Sequence, residues 1–290
     1  MKKFLFTVLA AATAFAAMAQ TDIWCWQCGA ATKKAATDSV TLAKPASLGD
    51  ILVWKDGVSA KLTATDSITF TNPYLENGRE YVDLGLTSGT KWATMNIGAE
   101  NPQDYGGYYA WGETTTKETY YWSTYLDGNI SSKSDCGTDK DALKGVTDIA
   151  GTQYDAAAAN LGGKWRMPTR EQQDELRNEC YWVWTESYNN SNVKGYIVYK
   201  AKTSSDKGKN SGTPSASYSL SDAHIFLPAA GFRKGGGLGY AGSYGLCWSS
   251  SQRAGYPDNA WCVCFSFNSG DVNDYHDDRY YGMPVRAVFK

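Results

Sequence analysis

Runs of aromatic and β-branched residues closed off by glycines recur along most of this chain, and they restrict it to short strands joined by tight turns. Tyr81-Val-Asp-Leu-Gly85, Lys91-Trp-Ala-Thr-Met-Asn-Ile97 and Gly107-Tyr-Tyr-Ala-Trp111 open the series. Gly195-Tyr-Ile-Val-Tyr199, the stretches 224–230 and 260–267, Leu246-Cys-Trp-Ser249 and Val285-Arg-Ala-Val-Phe289 complete it. The 20 Tyr and 11 Trp fill a core from pleated faces, and the 29 Gly serve the turns between them.

Two helices interrupt the strands. Asp155 is placed to cap a short helix over 156–159, stopped by Gly162-Gly163. Thr169-Arg-Glu-Gln172, after Pro168, is a capping box opening a second helix to about Cys180. With few apolar residues, Leu176 and Cys180, that helix is expected at the surface. The polar stretch 117–144 and the Ser/Lys/Gly-rich stretch 202–221 read as long surface loops. Strands at both ends, helices between and long loops predict an α+β architecture.

The first residues have a different purpose. Lys2-Lys3, the apolar stretch 4–16 and Ala17-Met18-Ala19 read as a secretory signal over residues 1–19, so the protein is expected to be exported, to the periplasm, the exterior or the cell surface. Residues 20–77 read as a linker followed by a small β module, with strands 50–54 and 58–62 around Asp56-Gly57 and a third at 67–70. Residues 78–290 form the main domain. No later stretch is apolar for long enough to span a membrane as a helix. A net charge of −2 and a pI near 5.8 give no footprint for nucleic acid.

Seven cysteines leave at least one unpaired. Cys25-Trp-Gln-Cys28 suits a local disulfide or a loose tether better than redox catalysis. Cys262 and Cys264 lie two apart in a strand and share a face, so each either pairs with Cys247 or packs as a small apolar side chain.

Between the last two strands lies a block that offers little to a core: Asn273, Asp274, Tyr275, His276, Asp277, Asp278, Arg279, Tyr280 and Tyr281. Tyr supplies rigid contact area and short polar groups tune hydrogen bonds, so the composition suits recognition better than catalysis. Tyr275, Tyr280 and Tyr281 are the expected anchors.

Six phrases in order resemble one family: Tyr81-Val-Asp-Leu-Gly-Leu86 with Lys91-Trp-Ala-Thr94, Tyr109-Ala-Trp-Gly-Glu113, Gly163-Lys-Trp-Arg-Met-Pro-Thr169, Phe226-Leu-Pro-Ala-Ala-Gly231, Gly245-Leu-Cys-Trp-Ser-Ser-Ser251 and Val285-Arg-Ala-Val288. Together they look like the exported Fibrobacter/Bacteroidetes major paralogous domain. That domain is similar to C-type lectin-like folds and to the variable proteins of diversity-generating retroelements. The resemblance covers residues 79–290. It implies a C-type lectin-like domain with two short helices, twisted antiparallel sheets and long loops. Its C-terminal strands would hold a frame while the solvent-facing side chains vary from copy to copy. Carried over, the variable positions are Asn273 to Asp278, Tyr280 and Tyr281, with Tyr256, Asn259 and Trp261 contributing. Asn, Asp, Tyr, His and Ser lie within one base change of an AAC or AAT codon, so mutagenesis directed at adenines would yield this mixture.

The same resemblance implies a protein or glycan ligand and no cofactor. The chain lacks the E-P-N or Q-P-D triplet of calcium-dependent lectins, and no metal is expected. Asp277 and Asp278 are neighbours rather than a pair set across a scissile bond, and no G-x-S-x-G accompanies His276. The expectation is a non-enzymatic recognition protein. The alternatives are a structural or assembly subunit of the cell surface, or an enzyme like the formylglycine-generating ones, with Cys262 and Cys264 as its thiols. Trp92, Trp111, Trp165 and Trp248 are expected in the core. Arg166 and Arg286 are expected to hold the fold through buried contacts to carboxylates or carbonyl oxygens.

Overall fold

The computed structural model describes residues 74–266 and 272–290, together with the backbone of six strands between residues 23 and 69. The expected signal at 1–19, the Cys25–Cys28 pair and residues 267–271 lie outside the described residues or side chains. The chain divides into two compact units, residues 1–73 and 74–290.

In the first unit, β1 (Ile23–Gln27) pairs with β2 (Ala30–Lys34), so the stretch expected as a linker carries a hairpin. β3 (Ser39–Val40) pairs with β6 (Ile68–Thr69). β4 (Ile51–Lys55) pairs antiparallel with β5 (Val58–Leu62); the turn expected at Asp56-Gly57 lies outside the described residues.

The second unit is mixed, with antiparallel sheets and two α-helices among the described residues. β7 (Leu75–Glu76) pairs with β8 (Arg79–Val82), so this hairpin straddles the boundary expected after residue 77. β9 (Lys91–Ala93) follows β8, and β18 (Val288–Phe289) joins β9 with Val288 opposite Trp92. A second sheet runs β10 (Cys180–Thr185), β11 (Gly195–Lys200), β12 (His224–Pro228). β13 (Phe232–Lys234) and β14 (Gly237–Gly239) form a hairpin across the glycine cluster. The third sheet is β15 (Tyr244–Gln252), β16 (Asn259–Ser266), β17 (Val272–Asp278), with β17 at its edge.

The helices form where their caps predict. α1 (Ala156–Leu161) starts at Asp155, whose carboxylate accepts from the amides of Ala157 and Ala158, and it ends at Gly162 with φ of 63°. Asp155 also accepts from the backbone amides of Gly151 and Met167, which ties the start of α1 to the strand-like segment after it. α2 (Arg170–Glu179) has the full capping box between Thr169 and Gln172. It is docked more firmly than its apolar content predicts. Gln173 Nε2 donates to the carbonyls of Cys247 and Trp248, Gln172 Nε2 reaches Thr90 Oγ1, and both glutamines are buried with Leu176. Amide hydrogen bonds replace the apolar stripe that an ordinary docked helix carries.

The four framework tryptophans are core residues, each at most 2% exposed. Trp111 Nε1 donates to Ser249 O and Trp248 Nε1 to Tyr109 O, so the two indoles cross-tie the 109–111 segment to β15. Residues 117–144 are not a surface loop. Tyr120, Tyr125, Leu126, Ile130, Cys136 and Leu143 are buried in the main core cluster, linked by turns and short 3₁₀ segments. Arg286 is buried and, among the described residues, donates to Asn96 Oδ1 and to the carbonyls of Ala93, Thr94 and Phe226. Arg166 departs from expectation: its backbone bridges to Val288, but its side chain is half-buried and makes no hydrogen bond among the described residues.

Candidate functional site

Residues 273–281 do not behave as one exposed loop. Seven residues, Val272 to Asp278, extend β16 by a further strand, with Trp261 opposite His276 and Asn259 opposite Asp278. Strand alternation then divides the set between two faces. Asn259, Trp261, Asp274, His276 and Asp278 share the face on which α2 lies; Asn273, Tyr275 and Asp277 share the other with Cys262 and Cys264.

The tyrosine anchors separate as well. Tyr275 is 49% exposed, but Tyr280 and Tyr281 are 7% and 8% exposed. Tyr280 packs against Trp122 at 4.7 Å between centroids, and Tyr281 stacks on Phe232 at 5.4 Å. Arg279 before them is fully buried and paired with Asp141. The Arg279–Tyr281 segment belongs to the core, so Tyr280 and Tyr281 are withdrawn as contact residues. Their burial depends on partners far away in sequence, which local polarity does not reveal.

The α2 face is laid out around aromatic–cation pairs. The Arg170 guanidinium carbon sits 3.6 Å from the Trp261 ring centre, and that of Arg253 sits 3.7 Å from the Tyr256 ring centre. Asp274 spends both carboxylate oxygens on arginines, taking Arg170 Nη2 at 2.5 Å and Arg177 Nη1 at 3.0 Å. Burial opposes its ionisation, but these two hydrogen bonds hold its carboxyl below the usual range. Asp274 therefore orients the arginines. Asp174 supports the same array through Arg177 at 2.9 Å.

Asn259 links the next group. Its amide donates to Asp278 Oδ1 at 3.2 Å, and its Oδ1 lies 3.0 Å from His276 Nδ1. Burial, with Arg253 nearby, pulls the His276 pKa down, so the imidazole is neutral at physiological pH. Between the stacked pairs runs an open groove of about 520 Å³ lined by Arg170, Arg253, Tyr256, Trp261, Glu171 and Asp148, among others. Tyr256, at the turn between β15 and β16, is 50% exposed.

Thus Tyr256, Asn259, Trp261, Asp274, His276 and Asp278 are brought together, while Asn273, Tyr275 and Asp277 lie across the sheet. Arg170, Arg177 and Arg253 were missed. Their available signals were the capped helix start at Thr169-Arg170 and an arginine just before the Gly255-Tyr256 turn.

On the opposite face, burial and the neighbouring Asp278 push the Asp277 carboxyl up to about 6. The folded pKa lies above the unfolded one, near 3.9, so ionisation destabilises the fold increasingly as pH rises from about 4 through 6. Asp277→Asn is expected to stabilise the protein at pH 8 by up to about 3 kcal/mol and to leave it unchanged near pH 4. Urea midpoints at the two pH values check this; an equal shift at both would rule out the titration.

Cys136, Cys180, Cys247, Cys262 and Cys264 are all free. Cys247 stands opposite Val263, on the other face from Cys262 and Cys264, so it bridges neither. Burial raises both strand thiols, Cys264 to about 11, which keeps them protonated and poorly nucleophilic. His224 is structural: buried, with Nε2 3.0 Å from Tyr188 Oη and Nδ1 2.8 Å from Asp222 O. Among the described residues no group of three His, Cys, Asp or Glu side chains converges to hold a metal ion. No described helix is long and apolar enough to cross a membrane.

No family model matches the chain, and neither do the curated proteins or the solved structures compared with it.

Proposed function

We propose that this protein is an exported recognition protein: a C-type lectin-like domain that carries its ligand surface on the α2 face of the β15–β16–β17 sheet. The observation that carries this reading is the pair of stacked arginines, Arg170 on Trp261 and Arg253 on Tyr256, flanking an open groove beside the polar set Asn259, His276 and Asp278. Aromatic and Arg side chains concentrate binding energy where they are pre-positioned, because little rotamer freedom remains to be lost. The lectin-like assignment is supported by two short helices, antiparallel sheets and a long, irregular but packed segment over 94–155. The export assignment rests on the signal-like residues 1–19. Diversification by a retroelement would act on the solvent-facing members of this face and leave the frame alone.

The test is binding of the full chain to an array of host and microbial surface glycans and surface proteins. Tyr256→Ala and Trp261→Ala are expected to weaken the captured interaction at least about tenfold without moving the melting temperature much. Undiminished binding in both variants would place recognition elsewhere on the molecule.

A second reading, an assembly subunit of the cell surface, draws on β17 as an edge strand. Asp274, Asp277 and Asp278 along that edge oppose strand addition by a neighbour, since pairing would crowd and desolvate their charges. Polymerisation of the purified chain would favour this reading.

A further inference from the structure

We infer that the groove between the Arg170–Trp261 and Arg253–Tyr256 pairs takes a carboxylated sugar residue, its carboxylate bridging the two guanidinium groups. The inference rests on the recognition reading and names the ligand class for the same surface.

The two arginines differ in how much of their hydrogen-bonding capacity the protein uses. Arg177 and Asp274 form a closed ion-pair cluster with Asp174, and Arg170 gives Nη2 to Asp274. Arg170 Nε is buried 3.9 Å from Asp174 Oδ2 and is closed to a ligand, so Nη1, which makes no hydrogen bond among the described residues, is the nitrogen left for one. Arg253 has no side-chain hydrogen bond or ion pair among the described residues; its guanidinium rests flat against Tyr256 and is otherwise uncommitted. A guanidinium held by a ring face keeps its N–H fork in plane and open at the edge, the geometry that a carboxylate fills with two parallel hydrogen bonds. Burial and Arg253 together keep His276 neutral, so it adds no third cation to this wall.

The acidic members of the groove narrow the class further. Glu171 and Asp148 line the same space. Asp148 Oδ1 accepts from the Ala150 amide, and Glu171 makes no side-chain hydrogen bond among the described residues. Two carboxylates facing two guanidinium groups repel a polyanion such as a nucleic acid or a polyphosphate. They suit a ligand with one negative charge and several hydroxyl donors. Tyr256, half exposed, offers ring area on which the apolar face of a pyranose packs. One carboxylate, several hydroxyls and an apolar ring face together describe a uronic or sialic acid residue.

Ligand-observed saturation-transfer titration of the full chain tests this, at low salt, with methyl β-glucuronide and the methyl glycoside of N-acetylneuraminic acid. Methyl β-glucoside is the uncharged control. At least one acidic glycoside is expected to bind at least about tenfold more tightly than the glucoside, and Arg253→Gln to remove that advantage at an unchanged melting temperature. The Arg253 side chain makes no hydrogen bond or ion pair among the described residues, and its backbone bonds to Asn259 and Tyr256 survive the substitution, so loss through misfolding is not expected, and circular dichroism of the variant verifies it. Two results overturn the inference: acidic glycosides that bind no better than the glucoside, or an Arg253→Gln variant that binds them as the parent does. Glucoside binding equal to that of the acids, abolished in Tyr256→Ala, overturns the carboxylate assignment while the recognition surface stands. Array ligands held undiminished by both Tyr256→Ala and Trp261→Ala overturn the surface itself.

Discussion

Replacing Arg286 by Met lowers the unfolding free energy by about 4–5 kcal/mol, at the far end of what single substitutions do. The guanidinium is buried and its donors reach four acceptors: Asn96 Oδ1 at 2.9 Å, Ala93 O at 3.1 Å, Thr94 O at 2.8 Å and Phe226 O at 2.7 Å. These acceptors belong to the end of β9, the turn after it and β12, so one side chain fastens two sheets to the C-terminal segment. Met fills most of the volume, but it leaves three carbonyls and an amide oxygen buried without a donor, and each such group costs about 1–3 kcal/mol. Relaxation and water entry recover part of that sum. Lys does not rescue the loss, because a single ammonium does not reach both sides as the planar fork does. Urea unfolding followed by tryptophan fluorescence measures the change. A loss below about 1 kcal/mol would show that these carbonyls have other partners.

Asp141→Asn is the second large effect, a loss of about 3–5 kcal/mol from an almost isosteric change. Asp141 and Arg279 have fully buried side chains 2.7 Å apart. Arg279 Nε and Nη1 have no hydrogen-bond partner among the described residues, and its guanidinium carbon lies 5.6 Å from the Trp111 ring and 5.5 Å from that of Tyr125. Asp141 also accepts from the amides of Gly137 and Leu143, which fixes the 133–143 segment around the pair. Neutralising the carboxylate strips a desolvated cation of its countercharge, leaving a neutral amide, the Cys136 thiol and two ring faces around it. The double variant Asp141→Asn with Arg279→Met removes that cation, so it is expected to be more stable than Asp141→Asn alone. Equal stability of the single and double variants would mean that the charge pair is not what matters there.

Both predictions concern contacts that the sequence hides. Asp141 and Arg279 are 138 positions apart, and nothing near either residue announces the other. Without that pairing, Arg279-Tyr280-Tyr281 looks like more of the polar stretch before it, and both tyrosines look exposed. Polarity misled in the same way over 117–144, where scattered aromatics fill the core between serines and threonines. β10 went unread as a strand because its aromatic run follows directly on a helix. β17 has a single β-branched residue, Val272, and becomes a strand through its pairing with β16, a tertiary effect that propensity does not contain.

What was legible rested on local chemistry. The caps at Asp155 and Thr169 specify their helices with side chains a few residues away. The framework tryptophans could be placed in the core from the family-like phrases that contain them. For the site, composition located the region and strand period would have divided it. Counting from Val272 in steps of two selects Asp274, His276 and Asp278 for one face, and the register adds Asn259 and Trp261. The arginines were out of reach, because Arg170 meets Trp261 only after α2 docks on the sheet through buried glutamines.

The central claim is that a fixed frame carries a separable recognition face. The most direct measurement is a saturation scan of residues 253–281 in the full chain displayed on a cell surface, scored by resistance to proteolysis as a readout of folding. The account predicts broad tolerance at Arg253, Tyr256, Asn259, Trp261, His276 and Asp278, and sharp intolerance at Ala260, Cys262, Phe265, Arg279, Tyr280 and Tyr281. Face positions as intolerant as the buried ones would contradict it, since those side chains would then be holding the fold together rather than standing clear of it.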